Sequence, residues 1–215
     1  VTTAAGKTAI AATLTSDKAT AVNMTGSAVN LENAALTKAA TYDATALTGD
    51  GQTTNKGLTI AGSLVATSTV KGSEFVDTVT VGATGSTYNL NGGADAVTAT
   101  QTSILGTTLD GGAGTDSLTL SDTAATVAAL TISDNSFSGV SNVETLTFNA
   151  ATGASSVVLG AETTEAGIAT VNLPGADNAI TTLTIGALHT GNLTVASSHE
   201  DITSLDASNY TGTLT

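Results

Sequence analysis

The chain predicts an all-β fold wound as a parallel β-helix or β-roll solenoid, and three observations point there. Residues Gly111-Gly112-Ala113-Gly114-Thr115-Asp116-Ser117-Leu118-Thr119 read G-G-x-G-x-D-x-U-x, where U is a large apolar residue. Two degenerate copies precede this motif at intervals close to the length of one coil of two short strands and two turns. The composition fits a thin core: the chain is 40% hydrophobic, but only 3% aromatic, with a single Pro and no Trp. Large side chains for a globular core are missing, whereas Val, Leu, Ile and Ala can fill the ladders of a solenoid. A mean hydropathy of +0.24 argues against a disordered tail.

The spacing within the motif has a mechanical reason. Gly111, Gly112 and Gly114 reach left-handed or mirror-β conformations that bend the backbone and turn carbonyl oxygens inward. Asp116 brings a carboxylate to the exit of the turn. Leu118 follows on a short strand and points into the core, with Ser117 and Thr119 outward. Calcium takes six to eight oxygens at roughly 2.3–2.6 Å, and one turn offers half of that shell. A neighbouring turn must complete it, so the motif predicts stacked partners and Ca2+ as the cofactor.

The partners lie upstream. Gly72-Ser73-Glu74-Phe75-Val76-Asp77-Thr78-Val79-Thr80 keeps the first glycine, the aspartate and the apolar strand residue. Gly92-Gly93-Ala94-Asp95-Ala96-Val97-Thr98 has the same order and reads as a turn shortened by two residues. Counted on first glycines, the intervals are 20 (92 − 72) and 19 (111 − 92). The candidate metal-binding residues are therefore Gly72, Ser73, Asp77, Asn91, Gly92, Gly93, Asp95, Asp110, Gly111, Gly112, Gly114 and Asp116. With coils about 4.8 Å apart, Asp77, Asp95 and Asp116 form a column in which neighbouring charges repel by about 3 kcal/mol at an effective dielectric near 20. A cation between the turns reverses that sign. The alternative is a set of glycine-rich β-turns whose aspartates satisfy their own backbone.

The remaining elements follow in order. Short pieces at Thr8–Leu14 and Ala21–Thr25 recur about every ten residues, as strands around a coil do. Leu31–Ala40 has some helical propensity but reads as strand, because Thr and Asn interrupt it. Thr41-Tyr42-Asp43-Ala44-Thr45-Ala46-Leu47-Thr48-Gly49 recurs as Ser204-Leu205-Asp206-Ala207-Ser208-Asn209-Tyr210-Thr211-Gly212, offset by 163 residues (206 − 43). Asp43 and Asp206 read as turn formers that cap backbone amides, the alternative being peripheral calcium ligands. A polar loop at Asp50–Lys56 leads to a strand at Gly57–Leu64. Beyond Leu120 the chain passes Asp122 and Asp134 to a strand in which Val143, Leu146 and Phe148 face inward, with a kink near Glu144. Four more strands fall at Ser156–Leu159, Ala169–Leu173, Thr181–Ile185 and Gly191–Val195, and Pro174 follows one of them, where it removes no ladder hydrogen bond. The boundaries are 1–70 for a first solenoid segment, 71–121 for the calcium-type β-roll and 122–215 for further rungs.

Charge and motifs narrow the function. Eighteen acids against five bases give a net charge of −13, which repels nucleic acid and anionic membranes unless divalent cations intervene. The absence of Cys fits a secreted bacterial protein and is equally compatible with a cytosolic one. No run reaches transmembrane length. The chain begins at Val1 without a basic leader and apolar stretch, and reads as the interior of something longer. His199, beside Glu200 and Asp201, reads as a solvent-facing turn, since adjacent strand residues face opposite ways. No nucleophile elbow or phosphate loop is present, and few aromatics are available as sugar platforms, so no enzymatic role is expected.

The succession K-G-S-E-F-V-D-T-V-T-V, G-G-A-D-A-V-T, L-D-G-G-A-G-T-D-S-L-T-L, G-V-S-N-V-E-T-L-T-F and I-T-S-L-D-A-S-N-Y-T-G resembles RTX-type bacterial surface-layer proteins over roughly Thr41 to Thr215. The resemblance implies a right-handed solenoid, type I secretion and calcium-dependent folding outside the cell. It also implies self-association into a homo-oligomeric lattice anchored to lipopolysaccharide or another surface glycan through a region outside this chain. Gly111–Thr119 alone carries the full motif; Ser73 replaces a second glycine in the first copy. The leading expectation is a structural protein of a surface layer. Alternatives are a segment of a large secreted adhesin, in which the solenoid spaces a distal domain, or the calcium-binding module of a secreted enzyme.

Overall fold

The computed structural model describes residues 2, 10–52, 55–62, 64–82, 84–122, 130–149, 154–173, 180–197 and 202–215. They form a parallel β-solenoid of about seven turns. A nine-stranded sheet runs its length, through Ile10–Ser16, Val29–Leu36, Lys56–Ile60, Val76–Thr80, Ala96–Ala99, Ser117–Leu120, Thr145–Phe148, Thr170–Leu173 and Thr194–Ser197. A six-stranded sheet covers the first part, through Ala21–Gly26, Thr41–Leu47, Thr69–Lys71, Thr87–Asn89, Thr108–Asp110 and Val140–Ser141. A four-stranded sheet covers the rest, through Leu130–Ile132, Ala154–Leu159, Thr182–Ile185 and Ser204–Asp206.

The period-two pattern of the strands builds the core. In T-V-T, A-V-T, S-L-T and T-L-T the middle residue points inward, and the parallel register stacks Leu31, Ile60, Val79, Val97, Leu118, Leu146 and Val171 in one buried column. The opposing sheet stacks Val22, Tyr42, Val70, Tyr88, Leu109 and Val140 in the same way. Each fully buried side chain of this kind contributes roughly 1.5–3 kcal/mol. Val143, Leu146 and Phe148 are all buried as their pattern predicts, and the strand reading of Leu31–Ala40 holds over Val29–Leu36. The strand expected at Gly57–Leu64 is shorter, Lys56–Ile60.

The chain is mostly β, but among the described residues three short helical segments depart from the all-strand expectation. Helix Gln101–Ile104 is capped by Thr100, and Asp122 accepts the Gln101 N–H at 2.9 Å. Asp134 opens the 3-10 turn Asp134–Phe137, and its carboxylate accepts the N–H groups of Gly160, Glu162 and Thr163 at 2.7–3.0 Å, starting helix Ala161–Glu165. Segments of four or five residues are too short to hold a helix by themselves; the carboxylates of Asp122 and Asp134 fix the two α-helices at the corners. Asp43 and Asp206 adopt matching turns: each Oδ1 accepts the N–H and hydroxyl of the residue two further on, Thr45 or Ser208. Pro174 and the His199-Glu200-Asp201 triplet lie outside the described residues.

Candidate functional site: an acid column at the glycine corner

The glycine turns join the six-stranded sheet to the nine-stranded one. Lys71, Asn89 and Asp110 are in register on the entering side, and Thr78, Ala96 and Ser117 on the leaving side. The corner is therefore six steps long in all three coils: 71 to 77, 89 to 95 and 110 to 116. This corrects the expectation of a shortened second turn and of intervals of 20 and 19. Measured at the aspartates, the coils are 18 (95 − 77) and 21 (116 − 95) residues long.

The first glycine misleads as a landmark because conformation, not residue type, is what stacks. Gly93 (φ +134°) lies on Gly114 (φ +152°), so Leu90 and Asn91 stand where Gly111 and Gly112 stand one coil later. Asn91 takes the left-handed φ of +65° that matches Gly112 at +94°, a conformation Asn tolerates better than most residues. The three extra residues of the longer coil sit at the opposite corner, between Ala99 and Thr108, where helix Gln101–Ile104 absorbs them.

At the exit of each corner the acids form a hydrogen-bonded ladder. Asp77 Oδ1 accepts the N–H of Leu58, Asp95 Oδ1 that of Asp77, Asp116 Oδ1 that of Asp95, and Glu144 Oε2 that of Asp116, all at 2.7 Å. Glu144 completes the column although its corner, Ser141 to Glu144, is only three steps long (144 − 141); there Asn142 takes φ +53°. Sequence reasoning saw only a kink at Glu144. The signal was available: each acid stands directly before its strand, in D-T-V-T, D-A-V-T, D-S-L-T and E-T-L-T.

The column is electrostatically loaded. Asp77, Asp95 and Asp116 are at most 1% exposed. Burial pushes Asp77 up to about 6, against opposing hydrogen bonds from Leu58 and Ser73. Burial first, and then the charges of Asp77 and Asp116, push Asp95 up to about 8. Asp116 is raised by burial and by the charges of Glu144 and Asp110.

The candidate residues divide into two groups. The Asp77 carboxylate is fully engaged, because Ser73 donates its N–H to Oδ2 and its hydroxyl to Oδ1, both at 2.7 Å. Gly72 lies so close that a Cβ there would overlap the same carboxylate. Asp110 caps its own turn by accepting the Gly112 N–H and the Asn142 amide, and Asn91 ties coils together by donating to the Gly72 carbonyl. Gly112 and Gly114 sit directly on the carbonyls of Asn91 and Gly93, and Gly111 on that of Asn142. By contrast, Asp95 and Asp116 each leave Oδ2 buried without a partner. Two unpaired carboxylate oxygens on successive coils, among backbone carbonyls, match the hard-oxygen chemistry of calcium. Among the described residues no group of three or more His, Cys, Asp or Glu is arranged to hold a metal, so the remaining ligands would be carbonyl and water oxygens.

No family model, curated protein or solved structure matches the chain.

Proposed function

We propose that this protein is a structural component of a bacterial surface layer, secreted and assembled on the cell exterior with copies of itself in a calcium-dependent lattice. One observation carries the reading: Asp95 and Asp116 present stacked, buried, unpartnered oxygens on consecutive coils. A buried carboxylate without a counter-charge is strongly disfavoured. Bound calcium would supply that charge, and Asp95 and Asp116 would hold it through Oδ2. The long parallel sheet suits a stiff tile, since its hydrogen bonds run along the axis of the stack. Millimolar external calcium saturates sites of the weak extracellular kind, while scarce cytosolic calcium leaves the chain export-competent.

Calcium titration followed by circular dichroism and electron microscopy tests this. At about a hundred times its Kd, calcium adds about 2.7 kcal/mol, or roughly 5–10 °C in Tm, and ordered arrays form. An identical melting curve in chelator sinks the calcium role. Isolated fibrils on native cells, in place of a lattice, favour the adhesin reading.

A further inference from the structure

Far from the acid column, His189 is 0% exposed. It sits between helix Ala161–Glu165 and the last loop, with Tyr210 tilted against it at 5.8 Å. Its Nδ1 lies 3.2 Å from the hydroxyls of both Thr163 and Thr164. Those hydroxyls have already committed their protons to the Gly160 carbonyl, and they accept the N–H groups of Gly160 and Thr190. Toward the imidazole they can only accept, so Nδ1 carries the proton. Nε2 is then a bare acceptor, buried without a partner.

A second proton on this ring would place an N–H where nothing receives it. The neighbours relieve this only in part: the Gly160 carbonyl and the charge of Asp134 favour the protonated ring, and burial outweighs them. Asp134 uses its carboxylate on the three amides that open the helix, and Tyr210 donates its hydroxyl to the carbonyls of Gly191 and Thr213. Glu162 is half-buried and Glu165 exposed on the helix; Asp206 is exposed and bound to Ser208. We propose that His189 is an acid-operated latch: neutral, it clamps the final coil through the threonine pair and Tyr210; protonated, it releases residues 186–197 and 202–215.

The sign follows from burial, which holds the imidazole below its ordinary value. A depressed folded value makes the contribution fully present above about pH 6.5, and lost as pH falls through the folded value. Hydrogen exchange on the 215-residue chain, at constant calcium, tests it at about pH 7.5 and about pH 5. Protection factors of amides in 186–197 and 207–215 should fall about tenfold per pH unit below about pH 6.5, until the folded ring itself titrates, while those of 87–120 hold. His189→Gln should abolish the fall. Unchanged protection in the parent, or the same fall in His189→Gln, overturns the proposal. If the variant does not fold, imidazole NMR of the parent decides, with His199→Gln assigning the signals. Titration of His189 at or above about 6.5 overturns the latch, and a lower value supports it.

Discussion

Gly114 shows what a single residue contributes to this corner. It has φ +152° and lies against the Gly93 carbonyl one coil below, where an added Cβ would overlap the oxygen. Gly106 has φ +78° but open space around its would-be Cβ. Gly114→Ala combines a strained backbone with displacement of a packed one, so it should cost more than the roughly 1–3 kcal/mol of backbone strain alone. Gly106→Ala should stay within that range. Urea midpoints of the two variants measure the difference, and equal losses would show that contact with the coil below is unimportant.

At the scale of the element, the ladder is one unit, because Asp95, Asp116 and Glu144 each hold the backbone N–H of the acid before them and Asp77 holds that of Leu58. Asp95 illustrates the separation of acceptor from charge. Asp95→Ala leaves the buried Asp77 N–H without its acceptor, which costs about 1–3 kcal/mol, and in calcium it should also lose most of the calcium-induced gain. Asp95→Asn keeps the acceptor and removes the charge. In chelator near pH 7 it should raise the urea midpoint, because the carboxyl whose folded value is raised to about 8 is gone, yet lose most of the calcium-induced gain in Tm. Retention of the full calcium response by Asp95→Asn would exclude the Asp95 oxygen as a ligand.

For the whole molecule, the acid column and the C-terminal latch respond to pH in opposite directions. Asp77 and Asp95 have folded values raised to about 6 and about 8. Their contribution is fully present below the unfolded value near 4, where the folded column is protonated, and is lost as pH rises to about 8. In chelator the urea midpoint should fall across that window, and calcium should flatten the slope. A metal-free midpoint that rises from pH 4 to 8 would falsify the loaded column. The last coil has the reverse trend, loosening in acid, so a probe there and a probe at the corner should move apart.

Much of this architecture was legible along the chain. The alternation in T-V-T and S-L-T determined that these strands are half-buried and parallel-stacked, and the recurring Asp before each strand determined that acids share a column. Both are local patterns whose period survives in one dimension. What only the tertiary structure decided was register: Leu90 aligns with Gly111, Asn91 does the work of a glycine, and the variable length moves to the opposite corner. It also decided that Glu144 caps the column, that Ser73 satisfies Asp77 while Asp95 and Asp116 keep bare oxygens, and that His189 is enclosed by Thr163, Thr164 and Tyr210. Apart from the Ser73–Asp77 contact, which spans four residues, these depend on which groups from residues about 18 to 28 positions away meet a given side chain, and local sequence carries no record of that distance.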